Sequence, residues 1–377
     1  MKIETDRDAL ADAVAWTARI LPARPASPVL AGLRMSAGDG KLTLSAYDYE
    51  ASAQAVVPVQ AAAAGNILVP GRLLAEIVKT LPAQAVTVEA DGTRARITSG
   101  RTAFTLMLLP EAEYPALPAA QPLAGTIGTD LFATAIQQTV IATSRDLTLP
   151  ALTGVRMEID GDSLTLIGTD RYRLAVRTVR WNPAAPVSTA VLIPARAIAD
   201  AARPLTAAAE AAITLTPSRG DGEHDGIIGF EGAGRKTTTR LLASAYPQYQ
   251  TLLPTDFSGA TDLAAGPFAD AVRRVALVAE RNMPVSLTLT AGQLTLHAGI
   301  GDAASATEII EADFDAEDAR IAFNPQYLLD GIRAVESDTV RLAVTAPHRP
   351  ALLTGKPGSD AGEPGYQYVL MPVRPAG

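Results

Sequence analysis

The stretch GTDRYRLAV, residues 168 to 176, has the charge density of an active site. It places one aspartate and two arginines around a tyrosine, but it contains no cysteine, serine or histidine that could act as a nucleophile or general base. The stretch is therefore either a catalytic loop or a surface that another protein reads. The choice between these two interpretations depends on the rest of the sequence.

A second stretch resembles a phosphate-binding loop. Gly229 and Gly234 have the G-x-x-x-x-G spacing, and Lys236 and Thr237 follow them. Arg235 interrupts the motif, and the surrounding IIGFEGAGRKTTTRLL has the pattern of two strands around a glycine turn. We therefore predict a hairpin here and no nucleotide site.

Other residues that could support catalysis are scattered. His224, His297 and His348 are isolated and lack the spacing of a metal site. The acidic run from Glu311 to Arg320 lacks the D-x-D-x-D-G turn of a calcium loop, so a solvated connection is expected. No G-x-S-x-G motif is present. We expect no metal, no cofactor and no catalytic activity.

Composition limits the class of protein. The 377 residues suit two or three domains, and the absence of cysteine removes disulfides and thiolate metal sites. The first residues carry charges where a signal peptide needs an apolar segment, and no run approaches 18 apolar residues. A soluble cytoplasmic protein is expected. A net charge of −8 argues against a surface that binds nucleic acid all over, but it permits a local basic surface.

Three landmarks recur in the same order along the chain. Leu-Thr-Leu triplets follow turns at 42–44, 164–166 and 294–296, and prolines at 70, 194 and 325 each lie between a strand pattern and a helix pattern. Each repeat begins with an amphipathic helix; in the first, Leu10, Val14, Thr17 and Leu21 share one face, with Thr5 or Asp6 as the N-cap.

Each repeat therefore has the predicted order helix, strands, helix, strands, which is an α+β fold. Segments rich in turn residues, 117–125 and 252–262, are the predicted linkers. The predicted domains are 1–121, 122–254 and 255–377.

Basic residues recur on or just after the predicted helices. If these helices faced a common axis, an acidic protein would have an inward-facing basic lining; the alternative is ordinary solvated helix faces. The candidates are Arg19, Arg24, Arg72, Lys79, Arg145, Arg196, Arg203, Arg273 and Arg274.

The threefold repeat, GTDRYRLAV, ASAYPQYQTLLP and the terminal YQYVLMPVR together resemble the bacterial DNA polymerase III beta subunit family, the sliding clamps, along the whole chain. The resemblance implies a head-to-tail homodimer of three-domain protomers. These form a ring with helices lining the hole and sheets outside. Such a ring encircles double-stranded DNA without sequence preference and confers processivity on the polymerase.

The resemblance also implies a groove that binds short peptide motifs of the polymerase III alpha subunit, the clamp loader and repair polymerases. Without the resemblance, Leu152, Leu174 and Met371 are better interpreted as core, and Arg173 as a surface charge; with it, the groove is favoured. The groove residues that it implies are Leu152, Thr169, Arg171, Tyr172, Arg173, Leu174, Pro247, Thr251, Leu252, Val369, Leu370, Met371, Pro372, Val373 and Arg374.

The implied dimer interface joins Phe104 and Leu106 of one protomer to Ala276 and Leu277 of the other, alongside pairing of edge strands. The alternative is that these residues are core contacts within one domain.

Departures from the family pattern leave other functions open. Arg171-Tyr172 stands where the family often has Gly-His or Gly-Tyr, Thr251 occupies a position that is often basic, and the chain continues to Gly377. A specialised second copy of the clamp with altered partner or inhibitor binding is the alternative. An enzyme built from repeats and a peptide-binding scaffold without DNA are two further hypotheses.

Overall fold

The computed structural model describes residues 1–216, 226–279, 283–300, 304–346, 348–355 and 365–373. Within these residues one order of elements recurs three times: a strand, a helix, several strands, a second helix and three strands.

The helices and strands of each third are as follows. The first third contains β1 (Lys2–Thr5), α1 (Arg7–Thr17), β2 (Gly32–Gly38), β3 (Lys41–Tyr47), β4 (Ala51–Pro58), β5 (Gln60–Ala63), β6 (Gly65–Pro70), α2 (Gly71–Thr80), β7 (Val86–Asp91), β8 (Arg94–Ser99) and β9 (Thr102–Met107). The middle third contains β10 (Leu123–Gly128), α3 (Thr129–Val140), β11 (Gly154–Asp160), β12 (Ser163–Thr169), β13 (Arg173–Arg180), β14 (Asn182–Pro183), β15 (Ser188–Pro194), α4 (Ala195–Leu205), β16 (Glu210–Leu215), β17 (Ile227–Gly232) and β18 (Arg235–Arg240). The last third contains β19 (Gly259–Ala264), α5 (Ala265–Val275), β20 (Val285–Thr290), β21 (Gln293–Ile300), β22 (Ala304–Glu311), β23 (Ala319–Phe323), α6 (Pro325–Ala334), β24 (Thr339–Val344), β25 (Ala351–Gly355) and β26 (Tyr366–Leu370).

The sequence predicted this order except for the strand in front of each first helix. β1, β10 and β19 are short, and the last two begin inside segments that we expected to be linkers. The linker prediction was therefore wrong for residues 123–125 and 259–262, which form strands. They pair with β16 and β24, which lie far away in the sequence.

Contacts between Cα atoms divide the chain into two compact units. Unit 1 contains Met1–Asp130, Asn182–Ala185 and Asp200–Leu241, and unit 2 contains Leu131–Trp181, Pro186–Ala199 and Leu242–Gly377.

Unit 1 contains two sheets. The strand order is β5-β1-β7-β8-β9 in one and β14-β10-β16-β17-β18-β4-β3-β2-β6 in the other. The second sheet joins strands of the first and middle thirds, because β18 pairs with β4.

The hairpin predicted at the loop-like glycine motif is confirmed. β17 and β18 pair in antiparallel register around a turn in which Ala233 and Gly234 have positive φ. The interrupting Arg235 forms an ion pair with Asp12 and lies 5.3 Å from the centre of the Trp16 ring. Its guanidinium therefore binds helix α1.

The predicted apolar face of α1 is confirmed. Leu10, Val14, Thr17 and Leu21 are all buried, and the Asp6 side chain accepts a hydrogen bond of 2.9 Å from the Ala9 amide. Asp6 is thus the N-cap, which satisfies one of the free amides of the first turn. This face packs into the core of unit 1.

Unit 2 also contains two sheets, ordered β15-β11-β12-β13-β26-β25-β24-β19 and β22-β21-β20-β23. Strands of the middle and last thirds meet where β13 pairs with β26. Helices α5 and α6 bury Phe268, Val272, Leu328 and Ile332 in the core of this unit. No helix in the described ranges is long and apolar enough to cross a membrane.

Candidate functional site

The charged stretch singled out in the sequence forms the tight turn between β12 and β13. The Asp170 carboxylate accepts hydrogen bonds of 3.0 Å from the amides of Tyr172 and Arg173. The Thr169 hydroxyl accepts from the Arg171 amide at 3.3 Å and donates to the Arg173 carbonyl at 2.7 Å. These local bonds hold Arg171 at the tip of the turn with φ of +80°.

Gly168 lets the end of α3 approach this turn. A Cβ atom at position 168 would lie 2.2 Å from the Thr139 carbonyl oxygen, a distance that no side chain tolerates. The close contact brings the segment after α3, residues 140–147, beside the turn.

Arg173 connects the turn to helix α6 and strand β26. Its guanidinium donates to Asp170 at 3.0 Å, to Asp330 at 2.7 Å and to the Tyr368 hydroxyl at 3.3 Å. It also lies over the Tyr327 ring, 4.2 Å from the ring centre. Burial by itself lowers the pKa of Arg173, but Tyr368 and the two aspartates raise it above its ordinary value, so the charge is retained. The side chain is 10% exposed and acts as an internal support.

A buried apolar cluster lies beneath the pairing of β12, β13 and β26. In the register of these strands Thr169 pairs with Leu174, and Leu174 pairs with Val369. The cluster thereby joins the middle repeat, the last repeat and the segment ASAYPQYQTLLP. Its members are Ile167, Leu174, Val176, Tyr249 and Val369, with Tyr246, Leu253 and Leu352 packed against them.

Exposed apolar side chains flank this cluster. Leu252, Met371 and Val373 are between 37% and 39% exposed, and Tyr172 is more exposed still. Two backbone bonds fix the segment after β26: the Met371 amide donates to the Tyr172 carbonyl at 2.9 Å, and the Val373 amide donates to the Ala322 carbonyl at 2.8 Å. Exposed apolar side chains can mark a surface that binds a partner, and this role stays a prediction for these residues.

The other predicted groove residues differ in exposure. Leu152, Thr169, Leu174, Val369 and Leu370 are buried, which fits the alternative that Leu152 and Leu174 belong to the core. Met371 does not fit that alternative, because it is exposed. Pro247 and Thr251 are exposed and Pro372 is half-buried. Arg374 lies outside the described residues.

Sequence reasoning missed three contributors to this site, Tyr249, Tyr327 and Asp330. The Tyr249 hydroxyl donates to Glu158 at 2.9 Å, and its ring is in the buried cluster. Asp330 and Tyr327 hold Arg173 from helix α6. No spacing in the sequence connects them to the turn. The available signal was a pair of residues three positions apart on α6, the aromatic Tyr327 and the acidic Asp330.

A cleft of about 1140 Å³ lies beside the turn; we call it the basic cleft. It brings together two sets of residues that the sequence assigned to different roles. Arg145 and Arg196 were predicted to face DNA, whereas Arg171 and Tyr172 were predicted to bind peptides. The basic cleft is lined by Val140, Ile141, Thr143, Ser144, Arg145, Asp146, Leu147, Thr153, Asp170, Arg171, Tyr172, Arg173, Ala195, Arg196, Gln326, Tyr327 and Asp330.

The remaining basic candidates are exposed and lie on or near helices. Arg72 donates to the Leu21 carbonyl at 2.9 Å. Arg273 forms an ion pair with Asp270, and Arg274 with Glu308 on β22, so acids partly neutralise the charges of both. A role in DNA binding stays a prediction for all of them. The exposed candidates outside the basic cleft are Arg19, Arg24, Arg72, Lys79, Arg203, Arg273 and Arg274.

The predicted interface residues lie on or near sheet edges. β9, which carries Phe104 and Leu106, is an edge strand of its sheet, as is β22 in unit 2. Leu106 is buried in the core of unit 1, as the alternative reading expected, and Phe104 is half-buried. Leu277 is 83% exposed and Ala276 half-buried.

Comparisons with known proteins give a consistent result along the chain. Family models of the DNA polymerase III beta subunit match residues 1–118 (N-terminal domain), 126–248 (central domain) and 250–374 (C-terminal domain). The chain is 50% identical to the beta sliding clamp of Streptomyces coelicolor, with 100% of both chains covered. It is 36% identical to the beta sliding clamp homolog GriR of Streptomyces muensis, with 99% of each covered.

A solved structure agrees in fold. The DNA polymerase sliding clamp of Bacillus subtilis superposes with a TM-score of 0.90 at 27% identity, covering 100% of both chains. The α+β class and the threefold clamp architecture expected from the sequence are confirmed. The chain belongs to the DNA polymerase III beta subunit family, the bacterial sliding clamps.

Proposed function

We propose that this protein is a DNA sliding clamp that encircles duplex DNA as a head-to-tail homodimer and tethers the replicative polymerase. The observation that carries this proposal is 50% identity over the full length of a beta sliding clamp. The lower identity to GriR favours an ordinary clamp over a specialised second copy. A tether needs no catalytic activity of its own. Because the protein acts on the chromosome, its proposed location is the cytoplasm.

The physical basis of tethering is topological. Phosphates recur about every 1.7 Å along the duplex axis and are the same for every sequence, so cations in the ring attract DNA without fixing its register. Enclosure then supplies the residence time that strong binding would otherwise have to supply. The exposed arginines and the lysine that lie on or just after the helices, outside the basic cleft, are the proposed DNA contacts. The proposed domains are 1–121, 122–254 and 255–377.

The exposed apolar side chains beside the turn support a peptide groove. Leu252, Met371 and Val373 would contact leucine and phenylalanine side chains of a partner peptide, above the buried cluster. Each such side chain contributes about 1.5 to 3 kcal/mol when fully buried, and association costs offset part of this. Binding is therefore reversible, so that the polymerase III alpha subunit, the clamp loader and repair polymerases can exchange.

The proposed dimer interface joins the edge strand β9 of one protomer to the edge strand β22 of the other. Both edges have free backbone groups, and Leu277 offers an exposed apolar contact near one of them. Leu106 would act from within the core by supporting β9.

Retention on DNA tests enclosure directly. The protein is loaded onto closed circular DNA by a clamp loader, and the fraction retained is measured before and after the circle is cut. We expect retention on the closed circle and rapid loss from the cut one. Equal retention on both forms would show that the protein holds DNA by affinity and would overturn the proposal.

A further inference from the structure

The carboxylates of the basic cleft are engaged by the protein itself. Asp170 accepts from Arg173 and from two amides of the turn. Asp330 accepts from Arg173 and from the Gln326 amide group, both at 2.7 Å. Asp146 accepts from the amide and hydroxyl of Thr148. These aspartates are therefore internal hydrogen-bond acceptors that help to shape the cleft.

The arginines at the mouth of the cleft are exposed. Arg145 and Arg171 have exposed side chains, and neither forms a salt bridge within the described ranges. Both Arg171 and Asp146 line the cleft; hydrogen bonds from Thr148 lower the pKa of Asp146, and the charge of Arg171 lowers it further. The guanidinium groups are thus available to an incoming anion.

The backbone of Arg171 is unusual for an arginine. Its φ of +80° lies in the left-handed region, which costs roughly 1 kcal/mol for a residue with a side chain and nothing for glycine. The bonds from Thr169 and Asp170 enforce this conformation. Glycine would adopt this backbone conformation at no cost. The presence of arginine at the tip of the turn is therefore explained by the contacts that its side chain makes.

The lining also has an aromatic and apolar part. The rings of Tyr172 and Tyr327 lie 6.4 Å apart, and Leu147 is largely exposed at the same cleft. Tyr172 belongs to the proposed groove as well, since its carbonyl accepts from the Met371 amide. An extended peptide in the groove can therefore continue into the basic cleft.

The charge balance favours a peptide carboxylate over a nucleic-acid backbone. Among the described residues, four arginines and three aspartates line the cleft, and Arg145 and Arg171 are exposed there without a salt bridge. A strand of nucleic acid would bring several phosphates against the three aspartates, whereas phosphate binding is driven by cations. A single carboxylate can meet the two exposed arginines, and arginine binds carboxylates through paired hydrogen bonds.

We propose that the basic cleft selects partner peptides that carry an aspartate or glutamate beside their apolar anchors, with Arg171 and Arg145 as the specificity-determining contacts. This inference rests on the proposed groove and adds a rule for which peptides it prefers. Arg171 occupies a position where glycine is the undemanding choice, so its side chain is the part of the turn that would supply the preference.

The test compares two synthetic peptides on the full-length dimeric protein by fluorescence anisotropy. Both contain the same glutamine, leucine and phenylalanine anchors; one has flanking aspartates and the other has asparagines at the same positions. We expect the acidic peptide to bind about five-fold tighter at low salt, the ratio that corresponds to an exposed charge pair. Salt should reduce this ratio, because it screens exposed charges.

Variants assign the preference to the cleft. Arg171→Gln and Arg171→Gly should bring the two peptides to equal affinity; the glycine variant also relieves the backbone strain, so its fold is secure. Arg180→Gln is the matched control. It removes the same charge at the far end of β13, about 23 Å from Arg173 at 3.3 Å per residue, and should retain the preference.

Three outcomes would overturn the inference. Equal affinity of the two peptides for the unaltered protein would remove the preference while leaving the groove in place. A preference that persists in Arg171→Gln and Arg145→Gln would place its origin elsewhere. If a single-stranded oligonucleotide bound in an Arg171-dependent way while the peptides did not differ, the cleft would be a nucleic-acid contact. Failure of both peptides to bind would instead reject the proposed groove.

Discussion

Arg173 and Asp330 form an ion pair of 2.7 Å although 157 residues of chain separate them. The pair fixes the charged turn to helix α6, and Asp170 completes the contact from the turn itself. Arg173, which lies in the charged stretch that resembled an active site in the sequence, therefore has a structural role. It holds the turn against helix α6 and strand β26 at the edge of the basic cleft.

Replacing Arg173 should destabilise the protein. Arg173→Ala leaves Asp170 and Asp330 without their cation in a nearly buried site, which costs about 3 kcal/mol. We expect a clear fall in the thermal midpoint, read by calorimetry. Arg180→Ala, which removes an exposed arginine from the same strand, should change stability by less than about 0.5 kcal/mol. Equal effects of the two variants would contradict the structural role of Arg173.

The groove can be weakened without touching the core. Met371→Ala together with Leu252→Ala removes two half-exposed apolar side chains and should reduce affinity for a polymerase peptide about ten-fold or more, since each contact contributes about 1 kcal/mol. Isothermal calorimetry would measure this. Sedimentation should show an unchanged dimer, and Leu123→Ala, an exposed leucine on β10, serves as control. Unaltered peptide affinity would remove these residues from the groove.

The dimer interface is best probed at Leu277. Because this side chain is 83% exposed in the protomer, Leu277→Asp leaves the fold intact and buries a charge only if the proposed interface forms. Sedimentation should show monomers that still bind the polymerase peptide. Phe104→Asp should act in the same direction, with some loss of stability because Phe104 packs against the core of unit 1. A Leu277→Asp protein that remains dimeric would refute the assigned contact.

Alkaline pH should destabilise unit 1 through Tyr114. Burial raises the pKa of this tyrosine from 10.0 to about 12, so folding favours the neutral hydroxyl. The corresponding stability is fully present below pH 10 and is lost as pH rises through 12. Tyr114→Phe cannot ionise and should lose less stability over this interval in urea unfolding. Identical pH profiles of the two proteins would show that Tyr114 contributes nothing.

Local features of the fold followed from the sequence. The face and cap of α1 and the hairpin at Gly229–Gly234 were predicted correctly because periodicity, capping residues and turn glycines act over a few neighbours. The strands before each first helix were missed for two reasons: β1 has four residues, too few for a reliable alternation, and β10 and β19 begin inside segments rich in turn residues.

Long-range features of the candidate site did not follow from the sequence. The resemblance placed Arg173 in the groove, but burial and pairing with Asp330 depend on contacts between distant segments. Charge alone also could not show that Arg145, Arg196 and Arg171 line one cleft. The close approach of α3 to Gly168 brings the segment with Arg145 to the turn, and a single sequence does not show such contacts between distant segments.

The two ladders that link successive repeats have a mechanical consequence. Residues Arg235–Thr239 pair with Ala51–Ala55, and Arg173–Arg177 pair with Tyr366–Leu370, so each sequence boundary is bridged by a continuous row of backbone hydrogen bonds. Bending at either boundary would require these backbone hydrogen bonds to break. The protomer therefore resists bending where these two pairs of strands meet, so neither pairing is a place at which the chain can open without losing its sheet.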